Sequence, residues 1–207
     1  VFTSTKVAAI EPLSSLRLTS LPNISYNESL GEGSFATVYE GKWNKVVVAV
    51  KVLRSLGSTK LSEQQLKEIS DEVLMHSMVS NLPGVVRLFG AKLDTEPRCV
   101  VLERADASLH DTLHKRNPVI DLTMTSKLSL AVQVSSAMEY ISDLGIIHRD
   151  IKSSNVLVFL LSNNRVSVKL ADFGLAKLKT DDTYAISHTP KGTPPYMAPE
   201  IFNGNVI

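Results

Sequence analysis

The sequence predicts an α+β fold, in which a small antiparallel sheet carrying one helix is followed by a mainly helical part. Three observations carry that expectation. From Ile24 to Val52 the chain is rich in β-branched and aromatic residues, broken by Gly31 and Gly33 and by a turn around Lys42 to Lys45, which is the pattern of short antiparallel strands. Ser62 and Gln65 then stand at capping-box spacing ahead of Leu66, Ile69, Val73 and Met75 or His76, which share one side of a helix. Further on, Leu128, Ala131, Val134, Met138 and Ile141 recur every three or four residues up to Gly145, a helix-terminating glycine.

Taken in order, residues 1–23 are rich in Ser, Thr and Pro without a sustained period and read as a linker or loosely docked extension. The folded part is expected to start near Ile24. The first helix ends by Asn81-Leu82-Pro83-Gly84, and residues 85–93 and 98–103 are two more strand-like runs. The longest apolar runs, 46–50 and 156–161, are far too short to span a bilayer, so each reads as a buried strand. The second helix is expected to support the loop after it. No repeat at solenoid or propeller periods is present.

At 207 residues, 43% hydrophobic and 21% charged, the chain can bury a core and is long enough for one large domain or two small lobes around a cleft. Its 22 basic and 21 acidic residues are scattered and leave a formal charge of +1, so no basic stripe points to a nucleic-acid partner. Cys99 is the single cysteine and has no internal disulfide partner, which fits a reducing compartment, by default the cytoplasm or the cytoplasmic part of a larger protein. The first ten residues lack the basic start and apolar stretch of a secretory signal. The chain does not begin with methionine and is expected to be a piece of something longer.

The strongest chemical signal is His148-Arg149-Asp150-Ile151-Lys152-Ser153-Ser154-Asn155, followed by Asp172-Phe173-Gly174. Transfer of a phosphoryl group asks for a carboxylate near the incoming hydroxyl, metal ligands that bridge the phosphates, and cations against developing negative charge. These two segments offer all three. Asp150 would accept or orient the hydroxyl proton, Lys152 would sit against the γ-phosphate, and Asn155 and Asp172 would hold Mg2+ through hard oxygen ligands.

These segments resemble the catalytic-loop and metal-loop signatures of the protein kinase superfamily. Gly31-Glu32-Gly33-Ser34-Phe35-Ala36-Thr37-Val38 resembles its glycine-rich loop, whose bare backbone approaches the phosphates of ATP. Two glycines in a hairpin more often mark only a turn, and Ala36 stands where the family pattern has its third glycine. In Val48-Ala49-Val50-Lys51, Ala49 and Lys51 share a face because strand side chains alternate. A lone lysine after an apolar run is commonly a solvated strand end, but about twenty residues beyond such a glycine loop it matches the family's phosphate-binding lysine. Ala49 is then expected to cover the adenine.

Glu68 and Glu72 are four apart on one helical face, so geometry alone does not choose the partner of Lys51. The resemblance points to Glu72 and leaves Glu63 and Glu68 as solvated. It further implies that Cys99-Val100-Val101-Leu102-Glu103 leads into an interlobe hinge, with Leu102 behind the adenine, backbone groups of Glu103 and Ala105 bonding the base, and Val38, Ala49 and Leu157 sandwiching it. Leu88, His76, Phe173 and His148 correspond to a hydrophobic stack coupling the lobes, with His76 an unusual member that reads equally as an ordinary partly buried histidine. Trp43 reads as packing.

The resemblance implies a bilobal protein kinase-like fold, with an N-lobe at about 24–103, a hinge at about 103–106 and a partial, mainly helical C-lobe at about 107–207. The family's C-lobe continues beyond Glu200 through further helices, so an incomplete lobe is expected. About four extra residues are expected between Asn155 and Asp172, in a turn between two short strands. From Asp172 to Ala198-Pro199-Glu200 runs an activation-type segment with Thr180, Thr183, Tyr184, Ser187 and Thr189. Phosphorylation at Thr183, Ser187 or Thr189 by an upstream kinase would place charge within reach of Arg149. Lys152 and the run from Gly192 to Glu200 resemble serine/threonine kinases, while Gly33-Ser34-Phe35, Tyr39-Glu40-Gly41-Lys42-Trp43 and the run from Asp150 to Asn155 most resemble the tyrosine kinase-like group, which implies a protein substrate and a role in signal transduction. The alternative, a pseudokinase-type nucleotide-binding scaffold, usually lacks one of Lys51, Asp150 and Asp172, and all three are present.

Overall fold

The strand-like runs before residue 104 form one five-stranded antiparallel sheet. Its strands are β1 (Ser25–Glu32), β2 (Ala36–Trp43), β3 (Val46–Leu53), β4 (Leu88–Lys92) and β5 (Cys99–Glu103), in the order β1-β2-β3-β5-β4. The computed structural model describes residues 24–33, 36–54, 61–116, 118–120, 122–162, 165–178 and 192–202. The expected linker, Ser34, and the five hydroxyl residues from Thr180 to Thr189 lie outside these.

Period-two alternation gives the sheet two working faces. Val48, Val50, Cys99 and Val101 turn to one side, where Ile24, Tyr26, Trp43 and Phe89 pack on them. Trp43 is packing there, its ring 5.8 Å from that of Phe89. Ala49 and Lys51 turn to the other side, towards α1 (Glu63–Val79), where Val73 packs on Ala91 and Val100. The β2–β3 turn is tighter than expected: Asn44 and Lys45 both have positive φ (48° and 69°), the geometry of a two-residue hairpin turn. Of the run 46–50, Val48, Ala49 and Val50 are buried and the first two residues are not. β5 pairs with β3 no further than Glu103 opposite Val48, so Val46 and Val47 project past it and stay 53% and 46% exposed.

α1 starts with the expected capping box: the Gln65 N–H donates to Ser62 Oγ (3.2 Å) and the Ser62 N–H to Gln65 Oε1 (2.9 Å). Beyond the sheet come β6 (Ala107–Ser108), α2 (Leu109–His114), α3 (Met124–Asp143), β7 (Ile146–Ile147), β8 (Val156–Leu160), β9 (Val166–Leu170), β10 (Lys177–Leu178) and α4 (Pro199–Phe202). β6, β8 and β9 make a three-stranded sheet and β10 pairs with β7. The apolar run 156–161 leaves the core at its far end, with Phe159 still buried and Leu160 not. Val156 and Val158 enter the core, while Leu160 and Leu161 are 42% and 47% exposed.

α3 stops as expected, with Gly145 in the left-handed region (φ 71°) and its N–H on Ser142 O. Its buried face differs from the expected one. Leu130, Ala137 and Ile141 are in the core with Val134 against them, while Leu128, Ala131 and Met138 are exposed. The helix is apolar over more than one stripe, so periodicity does not choose between them. The choice is made by β9, whose Val168 N–H donates to Gln133 Oε1 at 3.0 Å.

The two parts are stitched behind the cleft. Val86 N–H donates to Leu170 O (2.9 Å) and Leu170 N–H to Gly84 O (2.7 Å), so the link between α1 and β4 is continuous with β9. Among the described residues no helix is long and apolar enough to cross a membrane.

Gly41 tests the register of the β1–β2–β3 hairpins. A Cβ there would lie 2.7 Å from both Ser25 O and Val50 Cγ2. Gly41→Ala is expected to destabilise the fold by about 1–3 kcal/mol, read as a lowered unfolding midpoint in urea.

Candidate active site

The catalytic-type loop leaves β7 at Ile147 and closes on a 3-10 turn, Ser153–Asn155, that leads into β8. Asp150 is 9% exposed and its carboxylate is held from three sides. Oδ1 accepts from Thr193 Oγ1 at 2.7 Å, and Oδ2 accepts from Lys152 Nζ at 2.7 Å and Asn155 Nδ2 at 3.0 Å. Lys152 Nζ also reaches Thr193 Oγ1 at 2.9 Å. Burial pushes the Asp150 carboxyl pKa up, but the bonds from Lys152, Thr193 and Asn155 and the Lys152 charge outweigh it and hold it below the usual range. Asp150 is therefore a carboxylate at neutral pH and can accept a further proton-bearing group.

Asn155 gives both amide hydrogens to Asp150, one to Oδ2 and one to its carbonyl (3.0 Å). Its oxygen is left as a hard donor. The Asn155 carbonyl accepts from Ala171 N–H at 2.9 Å, which brings the next residue, Asp172, beside the loop. Asp172 sits at φ 65° and is exposed. A carboxylate and an amide oxygen suit Mg2+, which takes few protein ligands and completes its shell from phosphate and water. No group of three His, Cys, Asp or Glu side chains gathers as a metal cage among the described residues, as such a shared shell requires none.

Lys51 Nζ meets Glu72 Oε1 at 2.8 Å, which decides between the helix glutamates. Glu68 instead accepts from Gln64 at the exposed side of α1, and Glu63 is exposed. Burial alone would lower the Lys51 pKa, but the charge and hydrogen bond of Glu72, with the charge of Asp172, raise it. Gly174 leaves room for this group, since a Cβ there would lie 3.2 Å from Glu72 Oε2 and 3.3 Å from Asp172 Oδ1.

Phe173, 1% exposed, lies between the rings of His76 and His148, at 5.0 and 4.8 Å. His76 Nε2 is 2.6 Å from the Val86 carbonyl and so carries the proton and donates. Burial, aided by the charge of Lys51, lowers the His76 pKa to about 4 against the pull of the Val86 bond. His148 donates from Nε2 to Ala171 O at 3.1 Å, and burial lowers its pKa too. Both rings are neutral. Leu88 packs one layer away, with Val73, Ala91 and Val100.

Sheet register places the remaining residues. Gly31 is opposite Val38 and Val38 opposite Lys51, so the three share the face on which Lys51 meets Glu72. Glu32 follows at the end of β1. A Cβ at Gly31 would meet nothing within 4 Å among the described residues, and at Gly33 only Ala36 O at 3.6 Å. Leu157 alternates out of the core between Val156 and Val158. Leu102 is opposite Ala49.

The hinge departs from the simplest expectation. Glu103 N–H donates to Arg87 O (2.9 Å), which leaves its carbonyl for a base, and the Ala105 carbonyl already accepts from the Arg104 guanidinium, which leaves the Ala105 N–H. Sequence reasoning missed two ion pairs here, Glu103 with Lys169 and Arg104 with Glu40. The partners are 66 and 64 residues apart, and no local pattern marks them. Arg149 donates from Nε to Leu175 O at 2.6 Å.

The family described as protein tyrosine and serine/threonine kinase matches residues 24–207. A probable serine/threonine-protein kinase of Dictyostelium discoideum is 33% identical over 186 residues, 89% of this chain and 19% of that protein. Serine/threonine-protein kinase CTR1 of Arabidopsis thaliana is 33% identical over 182 residues, 86% of this chain and 21% of that protein. Dual specificity protein kinase pyk3 of Dictyostelium discoideum is 35% identical over 184 residues, 86% of this chain and 12% of that protein. The chain thus spans about a fifth or less of the length of these relatives.

His76 gives the site a signature in stability. Its pKa is about 4 folded and 6.5 when free, so below pH 6.5 the unfolded chain takes up a proton that the folded chain resists. The stabilisation is complete above pH 6.5 and fades as pH falls towards 4, by up to about 3 kcal/mol. His76→Phe is expected to flatten the dependence of melting temperature on pH between 6.5 and 4 relative to the parent protein, while His148 titrates in both.

Proposed function

The chain belongs to the protein tyrosine and serine/threonine kinase family, and from that premise we propose that it transfers the γ-phosphoryl group of ATP to serine and threonine hydroxyls of protein substrates. The observation that carries this reading is the Asp150 carboxylate, 9% exposed and kept charged by Lys152, Thr193 and Asn155, with Asp172 tied to the same loop through the Ala171–Asn155 bond and acting by its charge on Lys51, the partner of Glu72. The Lys152–Thr193–Asp150 arrangement and the names borne by two of the relatives favour a serine/threonine kinase, and the sequence resemblance favours the tyrosine kinase-like group, acting in signal transduction.

On this reading Asp150 accepts the proton of the substrate hydroxyl as its oxygen forms a bond to the γ-phosphorus. The bond from that phosphorus to the β,γ-bridging oxygen breaks, and ADP leaves. Lys152 faces the γ-phosphate, and Lys51, held by Glu72, faces the α- and β-phosphates. Asn155 and Asp172 hold Mg2+, which when bound neutralises phosphate charge. The backbone of Gly31, Glu32 and Gly33 would lie over the phosphates, and Ser34 is proposed to bind there with them. Val38, Ala49 and Leu157 sandwich the adenine, Leu102 backs it, and the Glu103 carbonyl and Ala105 N–H bond its edge.

The same reading divides the chain into an N-lobe at about 24–103, a hinge at about 103–106 and part of a C-lobe at about 107–207, acting in the cytoplasm or in the cytoplasmic part of a larger protein. An upstream kinase is proposed to act at Thr183, Ser187 or Thr189, with Arg149 receiving the phosphate. Undiminished activity after all three are replaced by alanine would reject that control.

Asp150→Asn in the full-length protein keeps the shape of the side chain and removes the base. Magnesium-dependent phosphorylation of a protein substrate is expected to fall by about 10²–10⁴-fold while ATP binding persists. Equal activity in the two proteins, or absence of ATP binding by the parent protein with Mg2+ supplied, overturns the assignment.

A further inference from the structure

Glu103 and Arg104 are adjacent, oppositely charged, and grip different parts of the molecule. The Glu103 carboxylate accepts from Lys169 Nζ at 2.6 and 2.7 Å and from the Arg87 N–H at 3.2 Å. Lys169 lies on β9, three residues before Asp172, with its ammonium 4.9 Å over the Phe159 ring. The hinge is thereby fixed to the strand that delivers the proposed metal ligand. Arg104 reaches the other way, its Nε donating to Glu40 Oε2 on β2 at 3.0 Å, and its guanidinium also donates to the Ala105 carbonyl.

The register shows which face this second pair occupies. Glu40 is opposite Ala49, and Ala49 is opposite Leu102. Residues directly opposite in antiparallel strands share a face, so Glu40 lies with Ala49, Lys51 and Leu102. The other face is filled by Val48, Val50, Cys99, Val101 and Trp43. Val38 is two residues from Glu40 and on the same face. The Arg104–Glu40 pair therefore spans β3 on the cleft side, next to the residues assigned above to the adenine. Its side chains are 25% and 42% exposed, so it is screened by solvent but not fully.

We propose that Arg104 and Glu40 form a latch that holds the β1–β2 hairpin, and with it the glycine-rich loop and Val38, at a set height over the nucleotide. Both are positioning residues for ATP and act through the hairpin, with Glu103–Lys169 as the anchor that lets a force on Arg104 be a force on β2. β1 is an edge strand that pairs only with β2, so the position of the hairpin rests on β2, which the ladder to β3 holds along its length and the Arg104 pair ties across β3 to the hinge. This inference rests on the kinase reading for its kinetic arm and on nucleotide binding alone for the other.

The experiment compares the full-length protein with Arg104→Ala, Glu40→Ala, the double alanine variant and the charge swap Glu40→Arg with Arg104→Glu. It measures kcat, the KM for ATP, the KM for the protein substrate and the Kd of mant-ATP with Mg2+. Each single substitution is expected to raise the ATP KM and the mant-ATP Kd about two- to fivefold, the yield of a partly exposed ion pair, with kcat and the protein-substrate KM unchanged. The double alanine variant should be no weaker than either single, the swap should recover most of the loss, and added NaCl should weaken nucleotide binding more in the parent than in Arg104→Ala. Unchanged Kd and ATP KM in the single variants, or a swap no better than they are, overturns the latch. Should Arg104→Ala fail to fold, Arg104→Gln carries the same comparison. A parent protein that binds mant-ATP with this pattern but phosphorylates nothing supports the latch and refutes the kinase reading, whereas an active parent indifferent to Arg104 does the reverse.

Discussion

The site depends on keeping one carboxylate charged where burial opposes it. Asp150 is nearly enclosed, and enclosure favours its neutral form. What reverses the preference comes from two stretches: Lys152 and Asn155 on the loop that carries Asp150 itself, and Thr193 near the far end of the activation-type segment. Removal of any one donor leaves part of a buried charge unmet, which is why the loop and the Gly192–Met197 stretch must hold their positions together. Gly192 shows how close they come. Its φ is 133°, and a Cβ there would be 2.9 Å from Arg149 O.

A second constraint joins this loop to the sheet. Lys51 has its carboxylate partner on α1, so the height of that helix decides whether the ammonium faces the cleft. α1 is positioned about one turn further on by His76, whose N–H is committed to the Val86 carbonyl and whose ring lies on Phe173. The residue after Asp172 is thereby packed under the helix that holds Glu72. A leucine or phenylalanine at position 76 would pack as well but would make no hydrogen bond. A histidine that stays neutral adds the bond without bringing a second positive charge near Lys51.

Much of this was legible in the sequence because the motifs concentrate on short loops with fixed spacing. The capping box, the helix stop at Gly145 and the pairing of strands around the glycines rest on local rules, and local rules survive folding. The choice of Glu72 over Glu68 and the buried stripe of α3 were not legible from periodicity. The first turns on which turn of one helix face comes level with Lys51 on β3, the second on which stripe of α3 meets β9. The exposure of Val46 and Val47 has the same origin, since it depends on where β5 ends. Glu40, Glu103, Arg104 and Lys169 were hidden for another reason. Long charged side chains are solvated by default, and only a partner more than sixty residues away makes them structural.

The glycines separate what the chain needs for itself from what it needs for something else. At Gly41, Gly84 and Gly192 a side chain would strike the protein's own atoms, at 2.7, 2.6 and 2.9 Å, and Gly84 and Gly192 also have positive φ, so the fold itself accounts for them. Gly31 and Gly33 differ. Neither has a positive φ, and a Cβ would meet no described atom at Gly31 and only an ordinary contact at Gly33. Glycine in a strand costs conformational entropy and contributes no packing, so folding gives no reason for two of them at this place. The register of Gly31 above Val38 and Lys51, with Gly33 just beyond the strand end, supplies one: a bare backbone there can approach an anion held by the Lys51 ammonium, and side chains would keep it away.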